Sequence, residues 1–94
     1  MKQYLVIAYD FPDAIERRLE VRPQHFEEVR KMKAKNNFVK GGAILDEEEK
    51  MIGSVMLLQF ENEHELNNWK ENEPYIKYKV WERIEVKPFK VAEI

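Results

Sequence analysis

Apolar positions along the chain switch between two spacings, and the switching predicts a βαββαβ order of elements. Tyr4-Leu5-Val6-Ile7-Ala8-Tyr9 is β-branched and aromatic, the composition of a strand. Asp10 to Val21, with Pro12, reads as a loop or a ragged turn of helix. Pro23 fits the first position of a helix, where its missing N–H is not needed. Phe26, Val29 and Met32 then give an apolar stripe at helical spacing, with Glu27, Arg30, Lys31 and Lys35 on the other face. Asn36-Asn37 stops this helix. Phe38 to Leu45 is the second strand, with a bulge or a close contact at Gly41-Gly42. Asp46 to Lys50 is a solvated turn, and Gly53 to Phe60 is the third strand. Asn62 and Glu65 have capping-box spacing, and Leu66 and Trp69 mark the buried side of a second helix. Asn72-Glu73-Pro74-Tyr75 interrupts that helix. Val80 to Val86 is the fourth strand, ended by Pro88.

This order predicts an α+β fold, a ferredoxin-like βαββαβ sandwich with an antiparallel sheet. Its first and third strands lie in the middle of the sheet. Here they are apolar on successive residues, Leu5-Val6-Ile7-Ala8 and Val55-Met56-Leu57-Leu58, the mark of burial on both faces. Two helices cover only one face. A second copy of the same sheet is the simplest cover for the other, so a homodimer through the sheet face is expected. Whether Val55 and Leu57 or Met56 and Leu58 meet the helices stays open at this point.

Composition narrows the picture. The 94 residues are expected to form a single domain spanning 1–94, 44% hydrophobic and 36% charged, with net charge −2. That apolar share is too high for a disordered tail and too broken by charge for a membrane span. The near-neutral balance argues against a nucleic-acid binder, whose domain pI usually lies above about 9. The chain has no cysteine, which removes disulfides and thiolate metal sites. Without a targeting segment, a cytoplasmic protein is expected.

Several chemistries lack their usual hardware. There is no GxxxxGK[ST] loop, no GxGxxG and no HExxH, and His25 and His64 lie far apart. No metal site and no organic cofactor are expected. His25 is placed in the first turn of a helix, where the dipole favours a neutral imidazole able to act as a base. The competing reading is a His bonded to backbone or facing solvent. Glu73 precedes a proline, so it projects from an extended, fixed segment and could orient an imidazole. Its competing reading is an ordinary surface Glu at a helix-ending turn. Arg18 and Arg22 either bind an anionic ligand or pair with Glu16 and Glu20. His64 reads as solvent-exposed and Trp69 as core. Trp81 belongs to the sheet face or to a pocket wall.

These residues resemble the YCII-related family nearly end to end. The resemblance rests on Ala8-Tyr9-Asp10, on Arg18-Leu19-x-Val21-Arg22-Pro23-x-His25-Phe26, on Gly41-Gly42-Ala43 and on Gly53-Ser54-Val55. Glu73-Pro74-Tyr75 and Val86-Lys87-Pro88-Phe89 extend it. It implies a dimeric ferredoxin-like fold, similar in build to muconolactone isomerases and small dimeric monooxygenases. It also implies a His–Asp active-site pair in a pocket; one related branch removes chloride from an intermediate of chlorinated aromatic degradation. By that resemblance the His is His25. The Asp of the family's Asp-Pro-Tyr is replaced by Glu73, one methylene longer, and the loop between the second and third strands is shorter than in the family.

The expectation is a small-molecule enzyme of lyase or isomerase type. His25 would move a proton on a small anionic molecule, Glu73 would orient it, Arg22 would hold the substrate's charge, and Tyr9 and Tyr75 would line the pocket. The alternative is a non-catalytic ligand-binding or interaction module on the same dimer. A catalytic pair requires His25 and Glu73 within reach of each other at a cavity.

Overall fold

Strand β1 (Lys2–Asp10) leads into helix α1 (Ile15–Ala34), and β2 (Phe38–Leu45) and β3 (Met51–Phe60) follow as a hairpin. Helix α2 (Glu63–Asn72) and the short α3 (Pro74–Lys77) precede β4 (Trp81–Phe89). This computed structural model describes residues 1–94. The strands pair in the order β2-β3-β1-β4, every pairing antiparallel. The result is the expected ferredoxin-like α+β sandwich with β1 and β3 in the centre. No helix is long and apolar enough to cross a membrane.

Register decides which side chains make the core. Tyr4 lies opposite Leu58, Val6 opposite Met56 and Ala8 opposite Ser54, and all six are buried under the helices. Val21 and Met32 of α1, Leu66 and Trp69 of α2, and Val80 and Trp81 close over them. Burying each such aliphatic side chain is worth about 1.5–3 kcal/mol. The odd-numbered neighbours point the other way: Leu5 opposite Leu57 and Ile7 opposite Val55. These four are only half-buried, on the face no helix covers. Gly53 is needed where β3 crosses β1, since a Cβ there would stand 2.4 Å from the Ala8 carbonyl oxygen.

Three local expectations are corrected. Helix α1 begins at Ile15, so Asp10 to Val21 is mostly helix and Pro23 is internal to it. Pro23 cannot donate to the Leu19 carbonyl, but both residues are exposed, so water can serve that oxygen. The start is unmarked in sequence because Ala14, at the cap, offers no side-chain hydrogen bond. Phe26 is 40% exposed instead of lying in the core, and the Arg22 guanidinium sits 4.7 Å from its ring centroid. Pro88 lies within β4 instead of ending it; β4 is an edge strand, where proline is tolerated. The second helix starts as expected, with Asn62 accepting the Glu65 amide at 3.0 Å.

Candidate functional site

A cavity of about 150 Å³ lies between α1 and the β2–β3 side of the sheet. Arg18, Arg22, His25 and Val29 reach it from one face of α1, at the spacing that stacks side chains on successive turns. Gly41, Gly42 and Ala43 of β2, Ser54 and Met56 of β3, and Tyr75 of α3 complete most of its wall. Gly41 pairs with Met56 on the helix side, where a Cβ would press on Phe38, a wall of the cavity; Gly42 pairs with Val55 and turns to the other face.

His25 stands in the middle of α1, not in its first turn, so the helix dipole has no hold on it. Its state is governed by Glu73 instead. His25 Nδ1 lies 2.5 Å from Glu73 Oε1, and both side chains are buried. Glu73 is extended, at φ −70° and ψ 118°, between α2 and α3, as a residue before proline must be. The same Oε1 accepts the Tyr75 amide at 3.2 Å and so caps α3. A carboxylate accepts, so Nδ1 carries the proton and donates. In the neutral ring, Nε2 is then the nitrogen that carries the lone pair. Glu73 does not line the cavity; it stands behind the imidazole.

Aromatic rings fix the imidazole in its plane. Tyr75 stacks on His25 with centroids 4.0 Å apart and planes 12° apart. Trp81 meets both rings edge-on, at 6.1 Å and 5.6 Å. Burial pushes the Tyr75 phenol above its ordinary range, against the pull of Arg18 and Arg22.

A second polar group flanks the first. Arg18 Nη1 donates to both oxygens of Asp10, at 2.9 Å and 3.0 Å, and Nη2 donates to Ser54 Oγ at 2.7 Å. Trp81 Nε1 donates to the same Oγ at 3.2 Å. Burial raises the Asp10 carboxyl above its usual range, and Arg18 pulls it back only in part. The sequence reading offered Arg18 the partners Glu16 and Glu20; the actual partner is Asp10, at the end of β1. Asp10 and Ser54 were missed as site residues. Their only signal was membership of two short motifs, Ala8-Tyr9-Asp10 and Gly53-Ser54-Val55.

Of the residues picked from sequence, His25, Arg22 and Tyr75 meet at the cavity and Glu73 joins through His25. Arg22 forms no salt bridge, so its charge is free at the cavity. Tyr9 is a correction. Its neighbours Ala8 and Asp10 face the helices, and strand alternation turns Tyr9 to the open face, where Arg83 lies 4.8 Å from its ring centroid. It is 36% exposed and does not line the cavity. His64 is exposed, away from the cavity. No three His, Asp or Glu side chains gather in a metal-holding group.

The YCII-related domain model matches residues 2–90. An uncharacterised protein of Haemophilus influenzae is 37% identical over 93 residues, covering 93% of this chain and 95% of its own. Protein YciI of Escherichia coli O6:H1 is 29% identical over the same shares of each chain. Among solved structures, the 5-chloro-2-hydroxyhydroquinone dehydrochlorinase TftG of Burkholderia phenoliruptrix, in complex with 2,5-dihydroxybenzoquinone, superposes with a TM-score of 0.85. It is 22% identical, over 96% of this chain and 95% of that one. An antibiotic biosynthesis monooxygenase superposes with a TM-score of 0.59 at 14% identity, over 99% of this chain and 100% of that one. At these identities the two structures speak for the fold.

Proposed function

The chain belongs to the YCII-related family, and from that premise we propose that it is a small-molecule enzyme of lyase or isomerase type. The observation that carries the reading is the His25–Glu73 pair, with the imidazole facing a cavity and its carboxylate behind it. Nε2 of His25 takes a proton from a carbon next to a carbonyl. The released electron pair moves onto the carbonyl oxygen as an enolate. Where the carbonyl is conjugated to a C=C bond, the dienolate then takes a proton back at the far carbon, an isomerisation; where the neighbouring carbon bears a leaving group, the enolate expels it with its bonding pair, an elimination. Glu73 keeps Nδ1 protonated and stabilises the imidazolium once it forms. Arg22, free of any carboxylate, offsets the developing negative charge.

The cavity supports a substrate class as well. A cavity of about 150 Å³ is the scale that accepts a single six-membered ring. Apolar walls of Val29, Phe38 and Met56 face the ring, and cations sit at one side. A monocyclic anion with a carbonyl or phenolic oxygen fits both. The compounds named for TftG are of that kind.

We also infer that two copies meet through the open sheet face, where Leu5, Ile7, Val55 and Leu57 form an apolar patch. A standard interface of about 800 Å² per partner is in proportion to such a face.

The test is deuterium exchange. Monocyclic hydroxyquinones and hydroxyhydroquinones, 5-chloro-2-hydroxyhydroquinone among them, are incubated with the protein in heavy water and followed by NMR, with chloride release measured in parallel. The wild type is expected to catalyse carbon-bound exchange or chloride release, and His25→Gln to slow it about 10²- to 10⁴-fold. Equal rates in wild type and His25→Gln would remove the reading and leave a ligand-binding module.

A further inference from the structure

We propose that Ser54 is a donor-only hydroxyl that selects a ligand by an oxyanion or carbonyl oxygen, and is not a nucleophile. The proposal rests on the reading of the cavity as a small-molecule site. A serine hydroxyl has two lone pairs and one proton. Both lone pairs of Ser54 Oγ are taken, by Arg18 Nη2 at 2.7 Å and Trp81 Nε1 at 3.2 Å. Ser54 is 3% exposed, lines the cavity, and donates its own proton to no group of the protein. That proton is the only bonding capacity it has left, and the cavity is where it can be used.

The surroundings strengthen this donor. One of the two groups feeding Oγ is a cation, and a hydroxyl that accepts hydrogen bonds becomes a better donor. Arg18 cannot swing away to meet a ligand itself, because Asp10 holds it with two further bonds. Arg18 therefore acts through Ser54, while Arg22 is free to act directly. The pair recognises an acceptor oxygen, and an anionic one best. An ether oxygen is a weaker, uncharged acceptor, and a donor group at that place would leave the Ser54 proton without a partner.

Ser54 and His25 at one cavity, with Glu73 behind the imidazole, resemble the composition of a hydrolase triad. The connections differ. His25 makes its ring hydrogen bond to Glu73 and none to Ser54, and the Ser54 lone pairs that would attack are occupied. The His25–Glu73 pair is thus left to move protons on the ligand, and Ser54 to hold the oxygen on which charge collects.

The experiment uses 4-nitrophenol, whose ionisation is visible, and 4-nitroanisole, its uncharged methyl ether. The wild type is expected to bind 4-nitrophenolate at least about tenfold more tightly than 4-nitroanisole and to lower the apparent pKa of the bound phenol. Ser54→Ala is expected to lose about 10- to 100-fold in phenolate affinity and to raise the bound phenol's pKa, with anisole binding unchanged. Ser54→Cys, a weaker donor of similar size, is expected to fall between. Phenylmethylsulfonyl fluoride is expected to leave Ser54 unlabelled. Equal binding of the two probes by wild type, binding of neither, or sulfonylation of Ser54 would each overturn the proposal without any variant having to fold. Loss of His25-dependent exchange, with the phenolate preference intact, would instead remove the proton-transfer reading and leave Ser54 in its role.

Discussion

Nδ1 of His25 and Oε1 of Glu73 meet at 2.5 Å across 48 residues of chain, joining the middle of α1 to the segment between α2 and α3. The contact ties the state of the imidazole to a carboxylate held by its own cap on α3. Glu73→Gln keeps an acceptor but removes the charge, so the Nδ1–H form should persist. Glu73→Ala removes the acceptor, and the ring should take both neutral forms. Ring ¹⁵N shifts distinguish these outcomes. Glu73→Ala should also lose about 1.5–3 kcal/mol of stability, the worth of a hydrogen bond to a charged group. Identical ¹⁵N shifts in wild type and Glu73→Ala would show that the carboxylate does not set the ring.

Much of this architecture is legible in the sequence. Continuous apolar strands at Leu5–Ala8 and Val55–Leu58 mark the centre of the sheet, and Pro74 fixes Glu73 in its extended form. Helix α1 is less legible, for a physical reason. Its first turns carry Glu16, Arg17, Arg18 and Glu20, and the inward positions include Arg18 and His25, which no apolar period reveals. A buried arginine becomes visible only with its partner, and Asp10 is on another element. Tyr9 was misplaced because a motif gives residues without faces. Strand alternation sends it opposite to its neighbours.

Arg18 and Asp10 form a buried pair, and removing either partner leaves a charge without compensation. Arg18→Met alone, which strands the Asp10 carboxylate, should cost about 3–5 kcal/mol, and Asp10→Ala, which loses the hydrogen bonds to Arg18, about 1.5–3 kcal/mol. The double variant should cost clearly less than the sum, as denaturant melts of all four proteins would show. The pH dependence has a definite sign. The folded-state pKa of Asp10 is raised above 3.8, so its contribution to stability is fully present below that value. It is lost as pH rises through the folded value. Asp10→Asn should lack this slope, and its deficit relative to wild type should grow on acidification through the window. A constant deficit would mean that the carboxyl is not raised by burial.

The open sheet face makes a prediction about assembly. Val55 and Leu57 point away from the helices, so a charge there does not enter the monomer core. Wild type should sediment as a dimer at micromolar concentration, and Leu57→Glu should shift it toward the 11.4 kDa monomer with its helix signal retained. Met56→Glu, on the other face, should unfold the chain, because Met56 is 2% exposed in the core. An 11.4 kDa species alone in wild type would remove the dimer.

Tyr75 supplies a prediction at alkaline pH. Burial raises its phenol above 10.0, against the opposing pull of Arg18 and Arg22. The folded state therefore holds this proton more tightly than the unfolded chain does. The contribution to stability is complete below 10.0 and is lost as pH rises through the folded value. Ionising Tyr75 would also place a phenolate against the face of His25, whose ring centroid is 4.0 Å away. Tyr75→Phe keeps the stacking surface and removes the proton. Melts of the two proteins from neutral pH upward should run parallel until the tyrosine range. Wild type should then lose stability more steeply than Tyr75→Phe. The tyrosinate absorbance of wild type minus that of Tyr75→Phe isolates this one side chain, and its midpoint should lie above 10.0. A midpoint at or below the ordinary tyrosine value, with parallel melts throughout, would mean that water reaches the phenol freely. The ring against His25 would then not be the dry wall that the cavity requires.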